Sequence, residues 1–355
     1  NSLYEISIGS ENGSVEANTN GSGMFAYLDN VSTLDLSGLD TSNMTSMTYM
    51  FYNSKSLTNI DVSGFDTSKV VNMNNMFFGC SNLKSIDVSN FNTSKVTDMA
   101  SMFERCSSLT YLDLSNFDTS NVIKMGAGSY VYGGMFSGCS NLKKINLSSF
   151  NTSKVTIMGN MFGGCSSLES LDLSSFDTSN VKQMGYMFTG CTSLTNLDVS
   201  NFNTSNVINM AGMFRNCTSL KSLDLSNFDT SNVTSMASIF LYDGSITNID
   251  LSNFNTSKVT DMGDMFEGCS QLTTLDLSSF DISNVKIMYY MFNLDNNLRT
   301  IYVSDKWDTS NVTESVGMFQ RCTSLTGAVP FDSTKTDASM ANYTTGYLTY
   351  KKNTN

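Results

Sequence analysis

The sequence predicts a repeat solenoid of about eleven stacked coils, each with short parallel β-strands plus a short α-helical or 3-10 turn, closed by a cap at either end. Two observations predict it. The column Leu39, Phe65, Phe91, Phe117, Phe150, Phe176, Phe202, Phe228, Phe254, Phe280 and Trp307 advances by 26 residues at nearly every step. Seven extra residues separate Phe117 from Phe150, and one separates Phe280 from Trp307. Within each cycle, apolar residues return at fixed places, and Ser, Thr, Asn, Asp and Gly fill the rest.

Val96 to Phe117 shows the elements in order, with apolar residues at Val96, Met99, Met102, Phe103, Cys106, Leu109, Leu112, Leu114 and Phe117. Leu112-Asp113-Leu114 alternates as a strand does, with two side chains inward and Asp outward. Asn116 to Asn121 is a polar turn whose Asn, Asp and Ser side chains can bond local backbone. Val122 to Met125 restarts extended chain. Met-x-x-Met-Phe-x-x-Cys places apolar groups at i, i+3, i+4 and i+7, the pattern of about two turns of α- or 3-10 helix. The apolar groups of one coil do not offset the conformational entropy of ordering it, so stacking must supply the rest. With about 4.8 Å between paired strands, the stack would be a rod or arc of roughly 50 Å. Residues 1–30, with an early Met24-Phe25 pair, are expected to cap it at one end and residues 326–355 at the other. The solenoid proper would span 31–325.

A net charge of −12 with 20 Lys plus Arg argues against nucleic acid or an anionic lipid surface as partner. No stretch approaches the roughly 18 apolar residues of a membrane span, so no direct membrane insertion is expected of this segment. Asn1-Ser2-Leu3 has neither an initiator Met nor a signal-peptide pattern, as in a processed or trimmed piece of something longer. Histidine is absent, removing the commonest general base and transition-metal ligand. Without Cys-x-x-Cys a zinc site is not expected, and no cofactor or catalytic residue is assigned. Carboxylates in equivalent repeat environments give nothing to drive two pKa values apart, so an enzyme is not expected.

The cysteines Cys80, Cys106, Cys139, Cys165, Cys191, Cys217, Cys269 and Cys322 each lie three residues after a Met-Phe pair. Stacked residues project in parallel, whereas a disulfide needs converging Cβ atoms, so buried free thiols are expected. Ser54, Asp243 and Asp295 replace Cys in that column. An acid there implies either a paired buried carboxylate or a column near the surface, and the second is cheaper.

Asp35, Asp61, Asp87, Asp113, Asp172, Asp198, Asp224, Asp250 and Asp276 form an outward ladder interrupted at Asn146. It is either a solvated face that resists edge aggregation or an acidic strip that binds a ligand or cations, with Asp113, Asp172, Asp198 and Asp224 as candidates. Calcium wants six to eight oxygens from a bent loop, which a flat ladder does not offer. The sharpest break in the cycle is Gly126 to Tyr132, where Tyr130 and Tyr132 on a glycine-flanked insertion suit recognition; drift without function is the other reading. Tyr49, Tyr186 and Tyr290 share a column before the second Met, and Tyr186 is a candidate there.

The unit Leu109-x-x-Leu112-Asp113-Leu114-Ser115-x-Phe117-Asp118-Thr119-Ser120-x-Val122, joined to Met-Phe-x-x-Cys, resembles the BspA-like leucine-rich-repeat surface proteins. The likeness is to their 26-residue type, found in lactobacilli, Listeria, enterococci and mycoplasmas, and covers roughly residues 24–325. Asp337 to Thr349 resembles the piece that closes such arrays. The pattern departs from ordinary leucine-rich repeats in placing Phe where an inward Asn ladder usually sits. The resemblance implies a leucine-rich-repeat-like solenoid, extracellular on a bacterial surface, with its anchor outside this chain. It implies a non-enzymatic adhesin whose partner is a host extracellular-matrix protein, mucin or glycan, or another cell-surface protein. A structural spacer or stalk presenting another domain, with no ligand of its own, is the alternative.

Overall fold

Hydrogen bonds from one coil to the next, more than helices or long strands, organise this chain. The computed structural model describes residues 3–9, 13–128 and 133–352, and the chain divides into two units, residues 1–180 and 181–355. The first unit contains β1 (Tyr4–Ser7), β2 (Val15–Glu16), β3 (Val31–Asp35), β4 (Leu39–Asp40), β5 (Asn59–Ile60), β6 (Tyr111–Asp113) and β7 (Lys144–Asn146). All pair in parallel between successive coils: β1 with β3 and β3 with β5, β2 with β4, β6 with β7. A second ladder of single parallel bridges joins Asn20, Ser46, Asn72, Asp98, Lys124 and Ile157 in turn. In the second unit β8 (Thr274–Asp276), β9 (Thr300–Val303) and β10 (Thr349–Tyr350) form one parallel sheet, and bridges join Gln183, Asn209, Ser235, Asp261, Ile287 and Glu314. Each unit is therefore a solenoid of leucine-rich-repeat-like coils.

The Met-x-x-Met-Phe-x-x-Cys segment takes the tighter of the two expected forms, and only as separate turns. The N–H groups of Met76, Phe78 and Cys80 close onto the carbonyls three residues back at 3.1–3.2 Å. Those of Met73, Asn75, Phe77 and Gly79 donate instead to Asp98, Ala100, Met102 and Glu104 of the next coil at 2.7–3.1 Å. Asn75 and Gly79 sit in the left-handed region, with φ of 56° and 72°. A continuous helix would need every N–H pointing along its axis and no such residue, so the neighbouring coil wins over the local period. Both patterns bury the same side chains, which is why the sequence reads as helical.

Inside, the Met-Phe phenylalanines stack coil on coil. Phe51, Phe77, Phe103 and Phe136 have centroids 5.3–6.1 Å apart, and Phe214, Phe240, Phe266, Phe292 and Phe319 have centroids 5.5–6.0 Å apart. Tyr347, fully buried, meets Phe319 edge-on at 5.4 Å, and its hydroxyl lies 3.0 Å from the Lys335 carbonyl. At the other end Phe25 stacks on Phe51 at 5.6 Å, so residues before 31 already pack against the next coil.

The turn after each second Phe contains a buried threonine. Thr204 Oγ1 donates to the Asp229 carbonyl at 2.9 Å and accepts from the Asp229 N–H at 2.8 Å. Thr41, Thr119, Thr152, Thr230 and Thr256 make the same two bonds to residue 66, 151, 177, 255 or 281. One hydroxyl thus satisfies both polar groups of a peptide residue in the next coil. Ile282 fills this place where the next coil carries its extra residue, and there the Ile282 N–H reaches the Lys306 carbonyl at 3.4 Å instead.

The eight thiols form no disulfide and are buried. Cys80, Cys106, Cys139, Cys165, Cys217, Cys269 and Cys322 donate to the carbonyl of the Met-Phe phenylalanine one coil earlier, as Cys217 does to Phe188 at 3.2 Å. Ser54 Oγ does the same to Phe25 at 2.7 Å. Asp243 and Asp295 correct an expectation: they lie on no surface, and both are fully buried in this column. Asp243 Oδ1 accepts from the Cys217 N–H at 2.7 Å, while Oδ2 has no partner. Neither Asp295 oxygen has a well-formed hydrogen bond, and the Cys269 N–H offsets its burial only in part. Burial pushes both carboxyls well above the ordinary carboxylate range. A neutral carboxyl carries an O–H donor, which is what the thiol and the hydroxyl supply at the equivalent places.

Two expectations follow. Thr204→Val keeps the shape but strands both the N–H and the carbonyl of Asp229, so unfolding in urea should show a loss of about 1–3 kcal/mol, with faster amide exchange at Asp229. Thr204→Ser should recover most of it. The buried acids have folded pKa values above the unfolded value of about 3.9, so their stabilisation is complete below that pH and disappears as pH rises through the folded values. The urea midpoint of the wild type relative to Asp243→Asn/Asp295→Asn should therefore fall from about pH 4 upward; a difference independent of pH would show that these acids titrate as they do in the unfolded chain. Asp261 and Asp264, also raised by burial, are common to both proteins and cancel in the comparison.

Candidate functional site

β6 shows how the strand face acquires chemistry. Leu112 turns inward, while Tyr111 and Asp113 project to solvent. In the parallel register Tyr111 lies beside Lys144 and Asp113 beside Asn146 of β7. Tyr111 is 48% exposed, yet its hydroxyl donates to Asp113 Oδ2 at 3.1 Å, which fixes the direction of the ring. A depression of about 410 Å³ borders Tyr111 together with Lys84, Asp87 and Asp113, and another of about 300 Å³ borders it with Lys144, Asn146 and Asp172. The tyrosine is the wall the two share.

Two predicted site residues, Asp113 and Asp172, are thus brought to one locality, Asp113 at the first depression and Asp172 at the second. Tyr111, Lys84 and Lys144 had not been singled out. A signal was present: in the outward column Thr33, Asn59, Ser85, Tyr111, Lys144, Ser170 the tyrosine is the sole aromatic. It lies next to the place where Asn146 breaks the acid ladder.

The ladder itself has a local task. Oδ1 of Asp113, Asp172, Asp198 and Asp224 accepts from the N–H of the Ser two positions on, each at 3.0 Å. The Ser115 N–H, then its hydroxyl, holds the Asp113 carboxyl below the usual carboxylate range; for Asp198 and Asp224 the hydroxyls of Ser200 and Ser226 lead, with their N–H groups next. These carboxylates shape the turn that leaves the strand. Asp198 and Asp224 do so in the second unit, and the depressions described above do not involve them. Among the described residues no group of three or more Cys, Asp and Glu side chains is arranged to hold a metal ion.

Tyr186 lies elsewhere. In its column Tyr49, Asn75, Ser101, Asn160, Gly212, Ser238, Asp264, Tyr290 and Gly317 share its left-handed backbone, with φ between 51° and 65°. The Tyr186 ring covers Gly212: a Cβ there would lie 2.4 Å from the ring. Tyr242 covers Gly268 and Tyr290 covers Gly317 in the same manner. Tyr186 is half-buried packing between coils, apart from the strand face. In the same column Asp264 is pushed up to about 7, by burial first and by the neighbouring Glu267 second. Glu267 Oε1 meanwhile accepts from Tyr242 and Asn293, both at 3.0 Å.

Tyr130 and Tyr132 lie outside the described residues. The Ala127 N–H donates to Gly159 and the Met135 N–H to Met125, both at 2.9 Å, while buried Glu104 accepts from the Gly133 N–H at 2.9 Å.

The tyrosine-over-glycine contact can be measured. Gly212→Ala combines a left-handed backbone with a clash against Tyr186, so it should destabilise more in the wild type than in Tyr186→Ala, by about 0.5–3 kcal/mol of coupling in urea unfolding. Additive effects would mean that the ring does not cover Gly212 in solution.

A search of curated proteins gives no match. Among solved structures, a leucine-rich cell surface protein from Faecalibacterium prausnitzii A2-165 is 16% identical, over 90% of this chain and 85% of its own, with a TM-score of 0.48. A leucine-rich-repeat protein from Eubacterium ventriosum is 19% identical, over 82% and 83%, with a TM-score of 0.38. A family model described as Mycoplasma protein of unknown function, DUF285, matches residues 19–130, 131–249, 209–330 and 242–355. With matches tiling the chain from residue 19 onward, the protein belongs to this family, and its coils are of the BspA-like leucine-rich-repeat type.

Proposed function

We propose that the protein is a non-enzymatic, cell-surface binding protein, an adhesin, whose ligand sits on the strand face of the first unit around Tyr111. The observation that carries this reading is local. One exposed aromatic, oriented by Asp113, stands between two depressions where Asn146 interrupts the acid ladder and Lys84 and Lys144 enter. Exposed aromatics with mixed polar rims are what binding surfaces use for contact energy and orientation. Asp113 and Asp172 serve as rim acceptors, and the partner is matrix protein, mucin, glycan or another cell-surface protein. The spacer reading gives no role to Tyr111, and no feature of the strand face favours it.

Enzymatic use of the ladder is disfavoured because local hydrogen bonds shift the carboxyls of Asp87, Asp113, Asp198 and Asp224 downward, away from what a general acid near neutral pH needs. The test is binding of the chain to immobilised mucin and matrix proteins. Tyr111→Ala should weaken it at least about tenfold, a typical loss for a central aromatic contact, and leave the melting temperature nearly unchanged. Undiminished binding by that variant would remove the strand face from the account.

A further inference from the structure

The chemistry around Tyr111 selects among these partner classes, and we infer, on the basis of the binding role proposed above, that the ligand is a neutral glycan with sugar residues seated on either side of the Tyr111 ring.

The form of the site comes first. A strand face in a parallel coil stack offers side chains alone, because its backbone is committed between coils: the Leu114 N–H, for example, donates to the Asn146 carbonyl at 3.1 Å. An extended peptide therefore finds no strand edge here on which to form a ladder. A pyranose asks for no backbone. It needs an apolar surface for its C–H face and a rim that both donates and accepts for its hydroxyls. The Tyr111 ring provides the first, with a depression on each side. For the second, one depression offers Lys84, Asp87 and Asp113 and the other Lys144, Asn146 and Asp172. Volumes of about 410 and 300 Å³ are at the small end of ligand sites, the scale of one or two sugar residues each.

Charge decides the rest. The named groups of the first depression sum to one negative charge and those of the second to zero, because Asn146 stands where the ladder would place an Asp. A sulfated or sialylated chain would meet three carboxylates for two ammonium groups, and a basic partner would meet the two lysines. A neutral chain meets neither conflict. The Tyr111–Asp113 bond also holds the platform in place before binding, which lowers the ordering cost of a weak polar ligand.

The experiment uses the chain and its Tyr111→Ala and Tyr111→Phe variants, each checked for an unchanged melting temperature. The probes are intact mucin, the same mucin after deglycosylation, and arrays of neutral, sialylated and sulfated oligosaccharides at low and high salt. Wild type should bind intact mucin and neutral oligosaccharides, with little response to salt, and should lose binding to deglycosylated mucin. Tyr111→Ala should be at least tenfold weaker, with Tyr111→Phe within about threefold of wild type. Tyr111-dependent binding that survives deglycosylation would overturn the glycan while leaving the strand-face binding role intact. Binding confined to sialylated or sulfated chains and abolished by salt would overturn the neutral assignment. Binding indifferent to Tyr111→Ala, or no binding by the wild type to any probe, would overturn both readings.

Discussion

Everything in this fold depends on the bond a coil makes to the next one. A 26-residue coil closes only part of its backbone on itself, through short turns such as Met76 to Met73 and Cys80 to Phe77, so the rest must be satisfied from the neighbouring coils. The buried threonine hydroxyl is the most economical device for this, acting as donor and acceptor to a single residue such as Asp229. The thiol column, the alternate N–H groups of the Met-Phe turns and the single parallel bridges repeat the same logic at other points around the coil. Strand and helix, in the usual sense, are nearly dispensable once such bonds surround the core.

That constraint explains what could be read from residues alone. Inward positions were legible because burial leaves one solution: every Phe and Met of the cycle, and the thiols, lie where the period puts them. The Met-Phe segment was legible in its packing but not in its backbone, since i, i+3, i+4 is shared by a helix and by a run of turns with left-handed residues between them. The role of the threonines was not legible because a hydroxyl that bonds into the next coil leaves no mark in local sequence. Asp243 and Asp295 were misplaced because cost was assessed for the ionised form, whereas a neutral carboxyl fits the donor position of a thiol. Asp113 and Asp172 were found through the ladder, Tyr111 was passed over, and Tyr186 drew notice as an aromatic though its ring serves packing.

The strand face then shows how such a scaffold can carry recognition. Its acids look like a display of charge, yet each is tied to the serine that follows it, so most of the ladder is turn chemistry visible from outside. What distinguishes one locality is the departure from that routine, where Tyr111, Lys144 and Asn146 replace the expected residues in two adjacent coils, beside Lys84. A repeat array can vary these outward positions with little effect on its core, and so can change what it binds without changing how it folds.

The glycines under Tyr186, Tyr242 and Tyr290 have a consequence for how such arrays change over generations. Nearly identical tandem units invite unequal crossing-over, which deletes or duplicates whole coils. Rings seated like those of Tyr186, Tyr242 and Tyr290 need a bare Cα in the following unit, whereas Tyr27 and Tyr49, which pack on Tyr52, precede Asn53 and Asn75. The coils are therefore not freely interchangeable. Their order obeys a neighbour grammar written in a few surface residues, and rearrangements at its boundaries would be rejected even though every core position still matched.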